Sequence, residues 1–298
     1  MKFLRRNEES KRSINSNTFL LFITIGLFAA MYIAGMIIFE DKGFAKPQMF
    51  LNLFISNAGL LVIAVGQTIV MITGGIDISV GSVTALVCMA VANQMEHHGM
   101  NAYMAVLLAL FIGVAYGVVQ GFLISYLEIQ PFIVSLAGLF FGRGLTSMIS
   151  TEMISIKNKT FLAWANYKIY LPIGSYSRRG KFLPAYIYPT VIIALLIVII
   201  VAVIMKYTKF GREVYAVGGN AQSAMMMGLN VRKTKFKAYL LNGLLAGCGG
   251  FLFCLNSCSG FVEQAKGLEM DAISASVIGG TLLSGGVGTP VSYTHLTL

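Results

Sequence analysis

An all-α, polytopic integral membrane bundle is the fold class this sequence predicts, on three observations. The 298 residues are 56% hydrophobic and only 11% charged, with a mean hydropathy of +0.76; a soluble chain carries about 25% charged residues. The apolar residues gather into stretches near the ~20 residues that a spanning helix needs. Small residues recur every four positions within those stretches, at Gly113, Gly117 and Gly121, at Gly138 and Gly142, and at Gly243 and Gly247. That spacing lets helix backbones approach closely in lipid.

The elements follow in order. The first candidate span, 19–39, comes after Lys2, Arg5, Arg6, Lys11 and Arg12. Its apolar run is too long for a signal peptide and no small-residue cleavage site follows, so it reads as a retained anchor. The second span, 50–72, runs into Ile72–Ser82, ITGGIDISVGS. Gly74, Gly75, Asp77, Ser79 and Ser82 stand here where hydrocarbon permits no irregular backbone unless protein or a cavity covers it. Asp77 reads either as part of a polar turn between two spans or as a buried functional carboxylate. Further spans are expected at 80–95, 103–126, 132–149, 186–205 and 236–258, with a shorter one at 272–283, about eight in all.

Lys and Arg counts orient the chain. The N-terminal tail and the segment 206–237, with Lys206, Lys209, Arg212, Arg232, Lys233, Lys235 and Lys237, fall on one side when spans are counted. That side is cytoplasmic by the positive-inside rule. The segment 150–184 resists, because it falls outside yet carries Lys157, Lys159, Lys168, Arg178, Arg179 and Lys181. The segment 210–231 is too polar to span. Residues 221–227 are expected to form a short helix, with Asn220 as its N-cap and Gly228 as its stop.

Composition excludes several functions. The net charge of +10 lies in loops, where orientation and anionic headgroups account for it, and does not point to nucleic acid. Cys88, Cys248, Cys254 and Cys258 form no CxxC and read as packing residues. His97 and His98 lie in a short polar turn. No hydrolytic, redox or metal-binding motif is present. No Walker A sequence is present either, since Gly180-Lys181 is followed by Phe182. ATP-driven transport would therefore need its ATPase on another chain, with no cofactor in this one.

Polar residues within spans are Asn57, Gln67, Gln120, Asn242 and Asn256. Their amides either suit a polyhydroxyl solute or bond neighbouring helices. Arg143 stands on the fifth span, where it pairs with a carboxylate, meets solute or snorkels to the headgroups. Asp77-Ile78-Ser79 after the second span and Asp271-Ala272-Ile273-Ser274 after the seventh suggest an inverted repeat. An ion-coupled secondary transporter using Asp77 and Asp271 is the rival reading; a membrane enzyme would need a convergent cluster that the sequence does not offer.

Three blocks carry a resemblance: TGGIDISVGS, FGREVYAVGGNAQSAMMMGLNV and LEMDAISASVIGGTLLSGGVGT. Together, with Pro131-Phe132-Ile133-Val134 and Gly142-Arg143-Gly144, they resemble the permease subunits of bacterial ABC sugar importers, in the ribose/simple-sugar branch. The likeness runs from Asn17 to Thr289. SLAGLFFGRG and GGTLLSGGVGT are most similar to the galactofuranose-type permease. The resemblance implies a multi-pass protein of the bacterial cytoplasmic membrane and a dimeric membrane core with a second permease subunit. It also implies cytoplasmic ATPase subunits and an extracytoplasmic sugar-binding protein. It places ATPase coupling at Gly211, Tyr215, Gly218, Gly219, Asn220, Ala224 and Gly228. The expected translocation path takes in Gln67, Gly74, Gly75, Asp77, Ser79, Ser82, Arg143, Asn242 and Asp271. After Gly288-Thr289 the family continues with further spans, whereas here the chain reads VSYTHLTL. Residues 1–290 are therefore expected to be one permease domain lacking its last spans. Residues 291–298 are expected to be non-native read-through, leaving His295 without function.

Overall fold

The computed structural model describes residues 23–39, 44, 46–176 and 182–288. The basic tail and the expected read-through at 291–298 lie outside these residues. The helices are α1 (Ile23–Ile38), α2 (Pro47–Ile72), α3 (Val80–His97), α4 (Ala102–Ser125), α5 (Pro131–Ile149), α6 (Lys159–Asn166), α7 (Pro189–Tyr207), α8 (Lys209–Gly219), α9 (Ala221–Met226), α10 (Val231–Ser257) and α11 (Leu268–Ile278). Among them α2, α4, α5, α7 and α10 are long and apolar enough to cross a membrane. Proline opens α2, α5 and α7, a position where its missing N–H has no intrahelical partner to lose. The polytopic helical bundle is therefore the fold.

One expectation needs correction. The span at 272–283 is not one: α11 has 11 residues, about 16 Å of helix. It stops at Gly279, and Gly280 follows with φ +93°. The segment before the short helix, too polar to span, is itself helical: α8 runs Lys209–Gly219, and Gly218 and Gly219 form its last turn. Two small antiparallel sheets join the helices. Ile154–Ser155 (β1) pairs with Ser259–Gly260 (β4), and Ile169–Tyr176 (β2) with Phe182–Ile187 (β3).

The bundle is built around α10, which packs on α4, α2 and α3. The glycine spacing forms the α4–α10 crossing. A Cβ on Gly113 would overlap Gly243 and Gly247 backbone, and one on Gly243 would overlap Gly113 and Gly117. The second half of α2 is wholly enclosed. By contrast α4, α5 and α7 turn residues such as Phe111, Phe140 and Ile199 outward, as lipid-facing helices do.

The two ends of the bundle carry different segments. At one end Gln48 Nε2 donates to the Tyr186 carbonyl at 3.1 Å, and Tyr186 N donates to Gln48 Oε1 at 2.8 Å. Lys157 N donates to Glu96 Oε1 at 2.6 Å, and the Tyr103 and Trp164 rings meet edge-on. At the other end Arg232 pairs with Glu128 at 2.7 Å, and α8 and α9 follow the last turn of α7. The described residues 150–176 thus lie opposite 206–237, as span parity requires. A membrane-impermeant thiol reagent applied outside cells, on a cysteine-free background, should label Asn166→Cys and miss Asn220→Cys. The reverse pattern would invert the orientation.

Candidate functional site

The chain breaks at the end of α2 and does not leave the protein. Thr73 N donates to Ile69 and Val70 carbonyls, and Gly74 N to Met71 O. Gly74 then takes φ +83°, a conformation that favours glycine. Gly75 N donates back to Val70 O at 3.2 Å, so residues 75–79 run back along the last turns of α2. Gln67 holds this return: with its amide assigned in the orientation that pairs both groups, it donates to the Asp77 carbonyl at 2.9 Å and accepts from Asp77 N at 3.2 Å. Helix α3 therefore begins inside the bundle, level with Gln67, not at the membrane surface.

Asp77 is 3% exposed, so the polar segment that joins α2 to α3 is buried within the bundle and not at its surface. Its Oδ1 accepts from Ser79 N at 2.8 Å and from Ser79 Oγ at 2.7 Å. Its Oδ2 accepts from Asn242 Nδ2 at 2.7 Å. Ser79 Oγ also accepts from Gln120 Nε2 at 2.7 Å, Ser82 Oγ donates to Ser79 O at 2.7 Å, and Ser135 Oγ donates to Ile76 O. A buried charge is tolerable only when hydrogen-bonded. Here neutral donors from the break and α10 satisfy the carboxylate, and α2, α4 and α5 hold the segment around it. Tyr239 Oη and Asn242 Oδ1 are buried beside this network without a hydrogen-bond partner.

The remaining path candidates scatter. Asp271 is exposed on the first turn of α11, so the two carboxylates of the suggested repeat sit in unlike surroundings. Arg143 Nη1 donates to the carbonyls of Val262 at 2.8 Å and Gln264 at 2.6 Å. It thus clamps the connection between α10 and α11. A groove of about 790 Å³ between α3, α4 and α5 is lined by apolar side chains with Tyr116 and Gln120 as its polar members. It offers little to a polyhydroxyl solute.

Three of the expected coupling residues, Tyr215, Gly218 and Gly219, lie at the same break. A Cβ on Gly218 would overlap the Ile72 carbonyl, and that carbonyl accepts from Gly286 N at 2.9 Å. A Cβ on Gly285 would press on both Gly74 and Gly218. Tyr215 donates its hydroxyl to Gly288 O at 2.7 Å, and burial pushes that phenol's pKa up. Three glycine pairs far apart in sequence, 74–75, 218–219 and 285–286, thus form one knot. Gly211 is buried against the Met205 carbonyl. Asn220 Oδ1 caps α9 by accepting from Ser223 N at 2.9 Å. Gly228, at φ +80°, closes it with its N–H on Met225 O. Ala224, one of the coupling positions the resemblance implies, is fully buried, so its side chain packs within the protein. The outward face carries Met225, Met226 and Met227, at 62%, 82% and 68% exposure.

Sequence reasoning missed Tyr239, Ser135 and Glu269. Tyr239 lies three residues before Asn242 and so shares its helix face, a spacing that was readable. Glu269 Oε2 is buried without a hydrogen-bond partner, close to Gly81.

Residues 49–294 match the family described as the branched-chain amino acid transport system / permease component. The chain belongs to this permease family. It is similar to the inner membrane ABC transporter permease protein YjfF of Escherichia coli K12, 39% identical over 90% of this chain and 78% of that one. It is 34% identical to the fructose import permease protein FruG of Bifidobacterium longum, over 88% of this chain and 75% of that one. It is 32% identical to the ribose import permease protein RbsC of E. coli K12, over 88% and 78%. No solved structure gives a significant match. The permease is accordingly a multi-pass protein of the bacterial cytoplasmic membrane, and its three signature blocks are the three segments that meet at the knot.

Proposed function

We propose that this permease is the membrane subunit of an ATP-driven importer for a simple sugar. The observation that carries the reading is the knot: α8 and α9 lie at one end, and α8 abuts the break that holds Asp77. Relatives named for fructose and ribose import support the solute class. The blocks SLAGLFFGRG and GGTLLSGGVGT favour a galactofuranose-type solute within it. The permease works with cytoplasmic ATPase subunits, an external sugar-binding protein and a second permease subunit. The cluster of Gln67, Asp77, Ser79, Ser82 and Asn242 is enclosed, so it acts as a pin rather than a lining. Domain motion driven by the ATPase shifts that pin between states, and only differential binding of the two states can do so.

Methionine is adaptable at binding surfaces, and Met225, Met226 and Met227 form the face offered to the ATPase. Met226→Glu should leave membrane insertion intact, cut ATPase pull-down and lower sugar uptake at least ~10-fold, as for an anchor residue at an interface. Undiminished pull-down would move docking elsewhere. Uptake of labelled galactofuranose, ribose and fructose, with the ATPase and binding protein supplied, tests the solute. Uptake that survives ATP depletion and collapses with the ion gradient would overturn the ATP-driven reading.

A further inference from the structure

A second cavity, about 350 Å³, opens between the first turns of α8 and α10. Lys209, Lys233 and Lys237 line it. So does one carboxylate, Glu213, which is already engaged. Lys209 Nζ stands 3.9 Å from Glu213 Oε1, and Thr234 donates its hydroxyl to Oε2 at 3.2 Å. Lys233 and Lys237 take part in none of the ion pairs among the described residues. They stand four residues apart on α10, hence on one face, and both border the same space. The amides nearby are spent within the chain. Gly228 N donates to Met225 O, Leu229 N to Ala224 O, and Lys233 N to Asn230 Oδ1. An anion here must therefore be held by side-chain charge.

Depth in the membrane selects the kind of anion. The apolar run of α7 ends at Met205, followed by Lys206, and α10 turns apolar after Lys237. The cavity thus sits where hydrocarbon gives way to water. Phe210 and Leu229 add apolar wall to its cationic rim. A soluble phosphate needs no such wall, whereas a headgroup tethered to acyl chains does.

We propose that this cavity binds the headgroup phosphate of an anionic phospholipid, with Lys233 and Lys237 as the paired cations. Each lysine near the surface contributes about fivefold in affinity, and the two together roughly thirtyfold.

The test uses the assembled importer in detergent. Phosphatidylglycerol or phosphatidylcholine is titrated in, and retained lipid is counted by native mass spectrometry. The wild type should retain phosphatidylglycerol in preference to phosphatidylcholine. Lys233→Ala with Lys237→Ala should lose that preference, while Arg212→Ala, exposed but outside the cavity, should keep it. Equal retention of the two lipids by the wild type would overturn the proposal without any variant having to fold. So would an unchanged preference in the double variant. Inorganic phosphate that competes the lipid away at equal concentration would reassign the site to a free anion and refute the lipid assignment.

Discussion

Asp77→Ala is expected to keep the permease from accumulating in the membrane. The change removes the acceptor for Ser79 N, Ser79 Oγ and Asn242 Nδ2 together. Each buried donor left unpaired costs about 1–3 kcal/mol, a large share of the ~5–15 kcal/mol that holds a typical protein folded. Asp77→Asn should behave differently. Its oxygen retains the two Ser79 donors, and its amino group faces Asn242, whose unpartnered Oδ1 can turn to accept. Hydrogen bonding is then preserved and only the charge is lost, at the N-terminus of α3 where a negative charge is favoured. The Asn variant should insert and unfold thermally close to the wild type, yet import poorly. Membrane abundance, unfolding midpoint and labelled-sugar uptake check the pair. Stable, abundant Asp77→Ala would remove the pin from the argument, and wild-type uptake by Asp77→Asn would reduce the carboxylate to a hydrogen-bond acceptor.

Gly218→Val is expected to uncouple the importer. The new side chain would collide with the Ile72 carbonyl and Gly286 N, forcing α8 away from the break. Overpacking of this kind costs about 1–3 kcal/mol, and here it is confined to the contact between α8 and the end of α2. The variant should insert, bind its ATPase through α9 and hydrolyse ATP without stimulation by the loaded binding protein, with uptake down at least ~10-fold, the factor that corresponds to 1.4 kcal/mol. Gly219→Ala is the control, since nothing lies within 4 Å of a Cβ there. Stimulated hydrolysis and normal uptake in Gly218→Val would show that the knot transmits nothing.

Much of this arrangement was legible in the residues, and the illegible parts share a cause. The helical bundle, the break after Ile72, the α4–α10 glycine crossing and the short helix between Asn220 and Gly228 all rest on local chemistry: apolar length, glycine spacing, caps and stops. What the sequence did not reveal depends on distant partners. Glycine disfavours helix, so Gly218-Gly219 gives no local sign of the last turn of α8, where the nearby Ile72 carbonyl leaves room for nothing larger at Gly218. Which face of α9 is buried depends on what it packs against, so Ala224 could not be placed inward from a six-residue helix alone. The apolar stretch at 272–283 looked like a span, but its glycines turn the chain instead. The partners of Arg143 are two carbonyls from a loop 119 and 121 residues away.

The distance along the chain between Asp77 and Asn242 also sets a clock. The two are 165 residues apart, and at about 5–20 residues per second of synthesis Asn242 emerges roughly 10–30 s later. Throughout that interval the carboxylate has only its neighbour Ser79, and Gln67 steadies only its backbone. Helices α2 and α3 therefore cannot reach their final, lipid-proof state on their own. The nascent chain must shelter this half-satisfied charge, inside the insertion machinery or in a water-filled crevice, until α10 arrives to close it.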